Sequence, residues 1–172
     1  MQMVKNILLF GLVLLVSLVV FAPKDRLYYL AEKELETYDA IISQERIEDG
    51  FFGVEVANAH LSIKGVEVAT VEKMHLSWVL FASSLELRNV VLDASSKGVV
   101  PVSEFNLSIT HNLSSPKSIG VKLSYQEVSK EAMVRLVDEE TLRIEVESIE
   151  GMEWLKNYMQ EDEKGWYYER TL

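Results

Sequence analysis

The chain has 172 residues, of which 48% are hydrophobic, so it is long and apolar enough for one domain with a buried core. Its formal net charge of −10 comes without a basic stripe, which argues against nucleic acid as a partner. The absence of cysteine excludes disulfides, thiolate metal sites, cysteine nucleophiles and a lipid-modified N-terminal cysteine.

Residues 1–23 form an apolar segment that predicts a membrane anchor. The uncharged stretch between Lys5 and Lys24 would span about 27 Å as a helix, close to the roughly 30 Å of a bilayer core. One alternative is a signal peptide cleaved after Ala22, but Pro23 would then occupy the position just after the cut, where its ring disfavours cleavage. A buried helix of a soluble protein is a further alternative, which an all-round apolar helix of this length disfavours. The residues predicted to anchor the chain are Ile7, Leu8, Leu9, Phe10, Leu12, Leu14, Leu15, Leu18 and Phe21.

Residues 24–39 predict an amphipathic helix directly after the anchor. Its apolar positions Leu27, Ala31, Leu35 and Tyr38 recur at spacings of four, four and three, as one helix face requires. We expect this stripe to pack against the following sheet; the alternative is that it lies on the membrane surface. A second set of aromatic residues falls where an interfacial belt would lie: Phe21, Tyr28 and Tyr29.

From residue 41 to residue 125 the apolar period changes to two, which predicts six or so antiparallel strands in a meander. The alternation slips at Asn58 and again between Leu87 and Val90, which predicts bulges. Gly65 and the Ser83–Ser84 pair are interpreted as turns.

The alternation makes one face of the predicted sheet apolar and the other polar. Such a sheet must be covered by a helix, curl on itself, or hold something apolar. The residues predicted for the apolar face are Val54, Val56, Leu76, Trp78, Leu85, Leu87, Leu107, Ile109, Val121 and Leu123.

Residues 126–172 predict a mixed helix and strand tail. "QEVSKEAMVRLVDEE" places Val128, Ala132 and Leu136 on one helical face, and "GMEWLKNYMQEDEKG" also has helical spacing. "TLRIEVESI" and "GWYYE" are interpreted as strands. The fold class is therefore predicted as mainly β with α (α+β): a single N-terminal transmembrane helix, an amphipathic helix, an antiparallel curved meander sheet and a mixed α/β tail.

No combination of side chains in the sequence predicts catalysis or a bound cofactor. His60, His75 and His111 form no metal-type local pair, and the acidic runs at 138–140 and 161–163 lack calcium-loop spacing. The serine pairs lack nucleophile-elbow glycines, and no glycine-rich phosphate loop is present. We therefore predict a non-enzymatic protein with no catalytic residues, no cofactor and no metal.

Three motifs carry a resemblance to a known family over roughly residues 1–110. They are "FAPKDRLYYLAEKEL" after the apolar segment, the strand-turn-strand around Asn58 and Gly65, and "LELRNVVLD" at 85–93. The chain resembles type II secretion system protein N and the wider AsmA-like group of envelope proteins. The resemblance implies an inner-membrane anchor and a periplasmic curved sheet with an apolar concave face. Some members act in lipid transport or in the assembly of envelope machinery, but transport-type members repeat the unit many times, and this chain does not.

The combined expectation is a non-enzymatic, single-pass inner-membrane protein of the bacterial envelope, with a cytoplasmic N-terminus and a periplasmic domain at 24–172. Its partners would be the membrane and either a lipid acyl chain or an envelope protein subunit docked on the apolar sheet face, with no nucleic acid. The alternative is an accessory or assembly subunit of a secretion or pilus machine. An enzyme of lipid or cell-wall metabolism would need a polar constellation that the sequence lacks.

Overall fold

The structure is a computed structural model that describes residues 24–50, 52–79, 81–94, 101–138 and 140–171. The predicted anchor, residues 1–23, lies outside this part. Within it, no helix is long and apolar enough to cross a bilayer. The elements, in chain order, are α1 Lys24–Glu36, β1 Ala40–Ser43, β2 Arg46–Asp49, β3 Gly53–Ile63, β4 Val66–Val79, β5 Ala82–Leu92, β6 Glu104–Asn112, β7 Ser118–Tyr125, β8 Val128–Leu136, β9 Thr141–Val146, a 3₁₀ helix Glu153–Asn157, β10 Gln160–Asp162 and β11 Gly165–Thr171.

All eleven strands belong to one antiparallel sheet, which confirms the prediction of a mainly β fold. Their order is β1-β3-β4-β5-β6-β7-β8-β9-β11-β10, and β2 also pairs with β3. Neighbours in the sheet are therefore mostly neighbours in the chain, because short turns join antiparallel strands. One such turn lies at Lys64 and Gly65, whose φ values of 51° and 77° match a two-residue hairpin loop. The part predicted to start at residue 41 starts at Ala40 and has seven strands rather than about six.

The prediction of a helix in "QEVSKEAMVRLVDEE" is wrong, because Val128–Leu136 is strand β8. Residues four apart lie on one face of a helix, but they also lie on one face of a strand, because strand side chains alternate with a period of two. The positions of Val128, Ala132 and Leu136 therefore fit both structures. Along β8, half-buried and exposed residues alternate strictly. The second predicted helix of the tail is also wrong in extent: only Glu153–Asn157 is helical, as a 3₁₀ turn, and β10 follows.

The Ser83–Ser84 pair is not a turn, since both residues lie within β5. Ser84 stands opposite Ser77 of β4, and their Oγ atoms are 2.8 Å apart. A serine pair in a strand stabilises the sheet by this cross-strand hydrogen bond.

A line of polar residues crosses β3 to β6 where the alternation slips. Asn58 and Asn89 have left-handed backbones, with φ of 56° and 52°. Asn89 donates from Nδ2 to Glu72 Oε2 at 2.7 Å, and its backbone N–H donates to Asn106 Oδ1 at 2.8 Å. The register of β5 against β6 shifts at this line, as predicted between Leu87 and Val90. The β3–β4 register continues unchanged past Asn58, and its own irregularity lies between Leu61 and Ser62.

The core lies between α1 and the first five strands. Tyr28 is 2% exposed and packs with Val54 and Val56, which are fully buried. The placement of Tyr28 in an interfacial aromatic belt is therefore wrong, although Tyr29 is exposed. The ring of Tyr28 contributes far more apolar area than a smaller side chain would, so the helix turns this face to the sheet. The other buried members of this cluster are Ile42, Ala59, Ala69, Val71 and Val90.

The stripe predicted to pack on the sheet is only partly described, and the described part is exposed. Leu35 and Tyr38 are 38% and 71% exposed; the side chains of Leu27 and Ala31 lie outside the described ones. Glu32 follows Tyr28 by one turn and is half-buried, and burial raises the pKa of its carboxyl, with Glu45 adding to the effect. The inner face of α1 therefore runs through Tyr28 and Glu32.

Candidate functional site

The apolar face of the sheet is built from two rows of side chains that cross neighbouring strands in register. Because directly paired residues of antiparallel strands point to the same side, each row is one continuous strip. The first row is Val54, Leu76, Leu85, Ile109, Val121, Ala132 and Val146. The second row is Val56, Met74, Leu87, Leu107, Leu123 and Lys130.

Two separate covers lie on this face. Helix α1 packs on β1, β2 and β3, and its Tyr28 belongs to a buried cluster that extends to β5. Residues 149–159, which we call the cover segment, contain the 3₁₀ helix and lie over the part formed by β6 to β9 and β11. Between the cover segment and the sheet is a cavity of about 420 Å³, lined by Leu107, Val121, Leu123, Lys130, Ala132, Ile144, Val146, Met152, Trp154, Leu155, Tyr158, Met159 and Tyr168.

The cover segment is fastened at its start. Ile149 and Met152 are 7% and 4% exposed. The hydroxyl of Tyr125 donates a hydrogen bond to the carbonyl oxygen of Gly151. Gly151 has a φ of +80°, and a Cβ there would lie 3.0 Å from a methyl group of Val128. The positive φ favours glycine at this position, and any larger residue would also have to displace the Val128 side chain.

The pKa values of two ionisable groups at the start of the cover segment are shifted. The pKa of Glu153 is lowered chiefly because its carboxylate accepts a hydrogen bond from the Gly151 N–H, at 2.9 Å. Attraction to Lys130 is a smaller contribution in the same direction. The pKa of Tyr125 is raised by burial, with a smaller effect of Glu153. At neutral pH, Glu153 is therefore ionised and Tyr125 keeps the proton that it donates to Gly151.

The residues predicted for the apolar face fall into three groups. Val54 and Val56 are fully buried under α1, with Leu87 and Trp78 packed against the same cluster. The half-buried middle of the face, between the two covers, is formed by Leu76, Leu85 and Ile109. The remaining three, Leu107, Val121 and Leu123, line the cavity.

Sequence reasoning missed the half of the cavity that comes from the tail. The sequence pattern predicts a helix for Ala132 and Lys130, whereas the strand β8 places both on the apolar face. Trp154 and Leu155 line the cavity from the cover segment. The helical spacing of this segment does not predict which part of the sheet it packs on. The sequence signal for β8 is weak: Ala132, Val134 and Leu136 are apolar at alternate positions, but Lys130 and Met133 break the alternation.

The three histidines and the two acidic runs singled out in the sequence are not among the residues that line the cavity. His60 Nδ1 is 3.3 Å from Glu67 Oε2, and His111 Nε2 is 3.3 Å from the Pro116 carbonyl oxygen. Among the described residues, no group of three or more histidine or carboxylate side chains is arranged to hold a metal ion. In the acidic run at 138–140, the pKa of Asp138 is lowered by hydrogen bonds from the backbone of the following residues.

The acidic run at 161–163 takes part in a cluster around Arg143. The guanidinium of Arg143 contacts Glu145 at 3.0 Å, Asp162 at 2.5 Å and Glu169 at 2.8 Å. It also lies 4.0 Å from the centre of the Tyr167 ring. These contacts join β9, β10 and β11, and of these strands β9 and β11 also line the cavity.

No protein-family model matches the chain, and no curated protein or solved structure matches it significantly.

Proposed function

We propose that this protein is a non-enzymatic, single-pass inner-membrane protein of the bacterial envelope that holds a lipid acyl chain on the apolar face of its sheet. The observation that carries the proposal is the cavity under the cover segment, where twelve of the thirteen lining residues are uncharged and mostly aliphatic or aromatic. A site built in this way offers few hydrogen bonds and a large apolar surface, which suits a hydrocarbon chain.

The energetics favour the same occupant. Each methylene group moved from water into an apolar site contributes about 0.8 kcal/mol. The volume of about 420 Å³ lies within the range of roughly 300–1,000 Å³ that is typical of small-ligand pockets. An acyl chain would also cover the half-buried middle of the face around Leu85 and Ile109, which neither α1 nor the cover segment encloses.

The proposed location rests on residues 1–23 as the anchor, with the domain from residue 24 in the periplasm. Protease added to intact spheroplasts is then expected to digest the domain and to leave only a short N-terminal fragment. Detection uses an antibody against residues 24–172, with a cytoplasmic protein as the control for leakage. Full protection of the domain would contradict this orientation.

Filling the cavity is expected to abolish lipid retention without unfolding the sheet. Ala132→Phe places a ring between Val121 and Val146, in the space that the acyl chain would occupy. We expect at least tenfold less co-purified lipid, equivalent to about 1.4 kcal/mol, when the full chain is extracted from membranes in a mild detergent. The lipid is measured by organic extraction and mass spectrometry.

The matched control is Met133→Phe, which adds a ring one residue away on the opposite, exposed face of β8. Its lipid content should equal that of the wild type. If Ala132→Phe does not fold by circular dichroism, Leu123→Trp fills the same cavity from β7. A wild-type protein that carries no acyl lipid, or a filled cavity that retains it, would contradict the proposed function.

A second candidate function, an accessory or assembly subunit of a secretion or pilus machine, is favoured by one edge of the sheet. Strand β10 pairs only with Gly165, Trp166 and Tyr167 of β11. Among the described residues, no strand pairs with the outer side of β11 from Tyr168 to Thr171, so a partner could add a strand there. Crosslinking in intact membranes, followed by purification of the full chain, tests this function, and absence of any crosslinked protein would count against it.

A further inference from the structure

We propose that the occupant of the cavity is a long-chain fatty acid whose carboxylate is bound by the ammonium group of Lys130. This inference rests on the proposed function and goes beyond it by naming the headgroup and the residue that selects it. The geometry that points to it is one half-buried cation at an otherwise uncharged cavity.

Lys130 stands where the sheet pattern calls for an apolar residue. It pairs with Leu123 in the second apolar row, and its neighbours on the same side of β8 are Val128 and Ala132. The other lysine of this strand pair, Lys122, points to the polar face, where it lies 3.2 Å from Glu131. Placing an ammonium group beside apolar residues costs free energy unless an opposite charge or hydrogen-bond acceptor compensates it.

Within the described part of the chain, Lys130 forms no ion pair and no hydrogen bond. The carboxylate that influences it, Glu153, accepts its hydrogen bond from Gly151 instead. The three N–H donors of the ammonium group therefore remain available to a ligand. An anionic headgroup placed there would leave its chain free to run along Leu107 and Val121, which also line the cavity.

A second donor in the cavity wall lacks a partner. Trp154 lines the cavity, and its Nε1 atom is buried without a hydrogen-bond partner. An unsatisfied buried donor is unfavourable, and a carboxylate oxygen would satisfy it if the indole ring turned toward the ligand. The ammonium group of Lys130 is the feature that favours a carboxylate over a plain hydrocarbon.

The cavity volume favours a single chain. At about 420 Å³ it is near the lower end of the range for small-ligand pockets, so it suits one acyl chain better than the two chains and large headgroup of a phospholipid. We therefore commit to a fatty acid, and an anionic phospholipid is an outcome of the test that would overturn this choice.

The experiment uses the full-length chain in an uncharged detergent and a palmitate derivative that carries a photoreactive diazirine in its chain. Labelled peptides are identified by mass spectrometry, and labelling is competed with oleate, oleyl alcohol or dioleoyl phosphatidylglycerol. Oleate and oleyl alcohol have the same chain and differ in the charged headgroup. The comparison between variants cancels the partition of each competitor into micelles.

In the wild type, we expect labelling of the cavity-lining strands β7 to β9 and competition by oleate about tenfold stronger than by oleyl alcohol. Lys130→Met should remove this preference, Lys130→Arg should keep it, and Lys122→Met on the polar face should not change it. The tenfold preference corresponds to about 1.4 kcal/mol. Circular dichroism of each variant checks folding, and Lys130→Gln is the substitute if Lys130→Met does not fold.

The outcomes separate this inference from the proposed function. Equal competition by oleate and oleyl alcohol, or a preference that survives Lys130→Met, overturns the role of Lys130 and leaves acyl binding standing. Stronger competition by phosphatidylglycerol than by oleate overturns the fatty acid as the occupant. Labelling by the palmitate derivative that avoids the cavity overturns both.

Discussion

Gly53→Ala is expected to destabilise the first half of the sheet more than any other single methyl addition at the described glycines. A Cβ at this position would lie 1.9 Å from the carbonyl oxygen of Leu76 and 2.9 Å from the Cα of Ser77. Both atoms belong to the backbone of β4, which pairs with β3 at this point, so neither can move without breaking the pairing. We expect the free energy of unfolding to fall by about 3 kcal/mol or more, measured by urea denaturation of the full chain in detergent.

The control for this prediction is Gly65→Asn in the β3–β4 turn. Gly65 has a φ of +77°, and no atom lies within 4 Å of the Cβ position. Asparagine tolerates the left-handed backbone better than most residues, so the change should cost less than about 1 kcal/mol. If Gly53→Ala shifted the urea midpoint no more than Gly65→Asn does, the close approach of β3 to β4 would be contradicted.

The sheet was predictable from the sequence where residues near in the chain pair with each other. From β3 to β7, each strand pairs with the next, and period-two alternation marks one side of every strand. Even the slip between Leu87 and Val90 follows from local pattern, because a left-handed residue at Asn89 shifts the alternation by one. Local rules suffice here because the contacts themselves are local in the chain.

The position of α1 was predictable, but its buried face was not. Among the described side chains of α1, Tyr28 and Glu32 face the sheet, and neither belongs to the predicted stripe. The described members of that stripe, Leu35 and Tyr38, are exposed. A tyrosine and a glutamate do not mark an inner face by composition. Only the packing partners Val54 and Val56, far along the chain, decide this orientation.

Predicting the cavity requires the correct structure of the tail, where both predicted helices are wrong. A helix at Val128–Leu136 does not place Lys130 and Ala132 beside Leu123 and Val121, as the strand does. The cover segment then presents a different difficulty, because its attachment is made by single contacts such as Tyr125 to Gly151, 26 positions apart in the chain. No periodicity encodes such a contact, so the half of the site formed by β6 and β7 was predictable and the half formed by the tail was not.

Tyr28→Ala is expected to separate α1 from the sheet. The side chain is 2% exposed and is among the largest fully buried side chains of the described residues. Its removal leaves a cavity against Val54 and Val56, and truncation of a buried aromatic residue typically costs about 3–5 kcal/mol. Urea denaturation followed by circular dichroism measures the loss, which would be contradicted by a change below about 1 kcal/mol.

Tyr28→Phe isolates the hydroxyl from the ring and supplies a pH test. The hydroxyl is buried and has no hydrogen-bond partner among the described residues, so its removal should be neutral or stabilising by up to about 1 kcal/mol.

Burial raises the pKa of Tyr28 above its usual range, and Glu45 and Glu32 add to the effect. Below pH about 10 both folded and unfolded chains keep this proton; above it, the unfolded chain releases the proton first, so stability falls as the pH rises. The wild type should therefore lose stability more steeply than Tyr28→Phe above that pH. Equal slopes would mean that solvent reaches the hydroxyl in the folded protein, and that α1 does not seal this part of the apolar face.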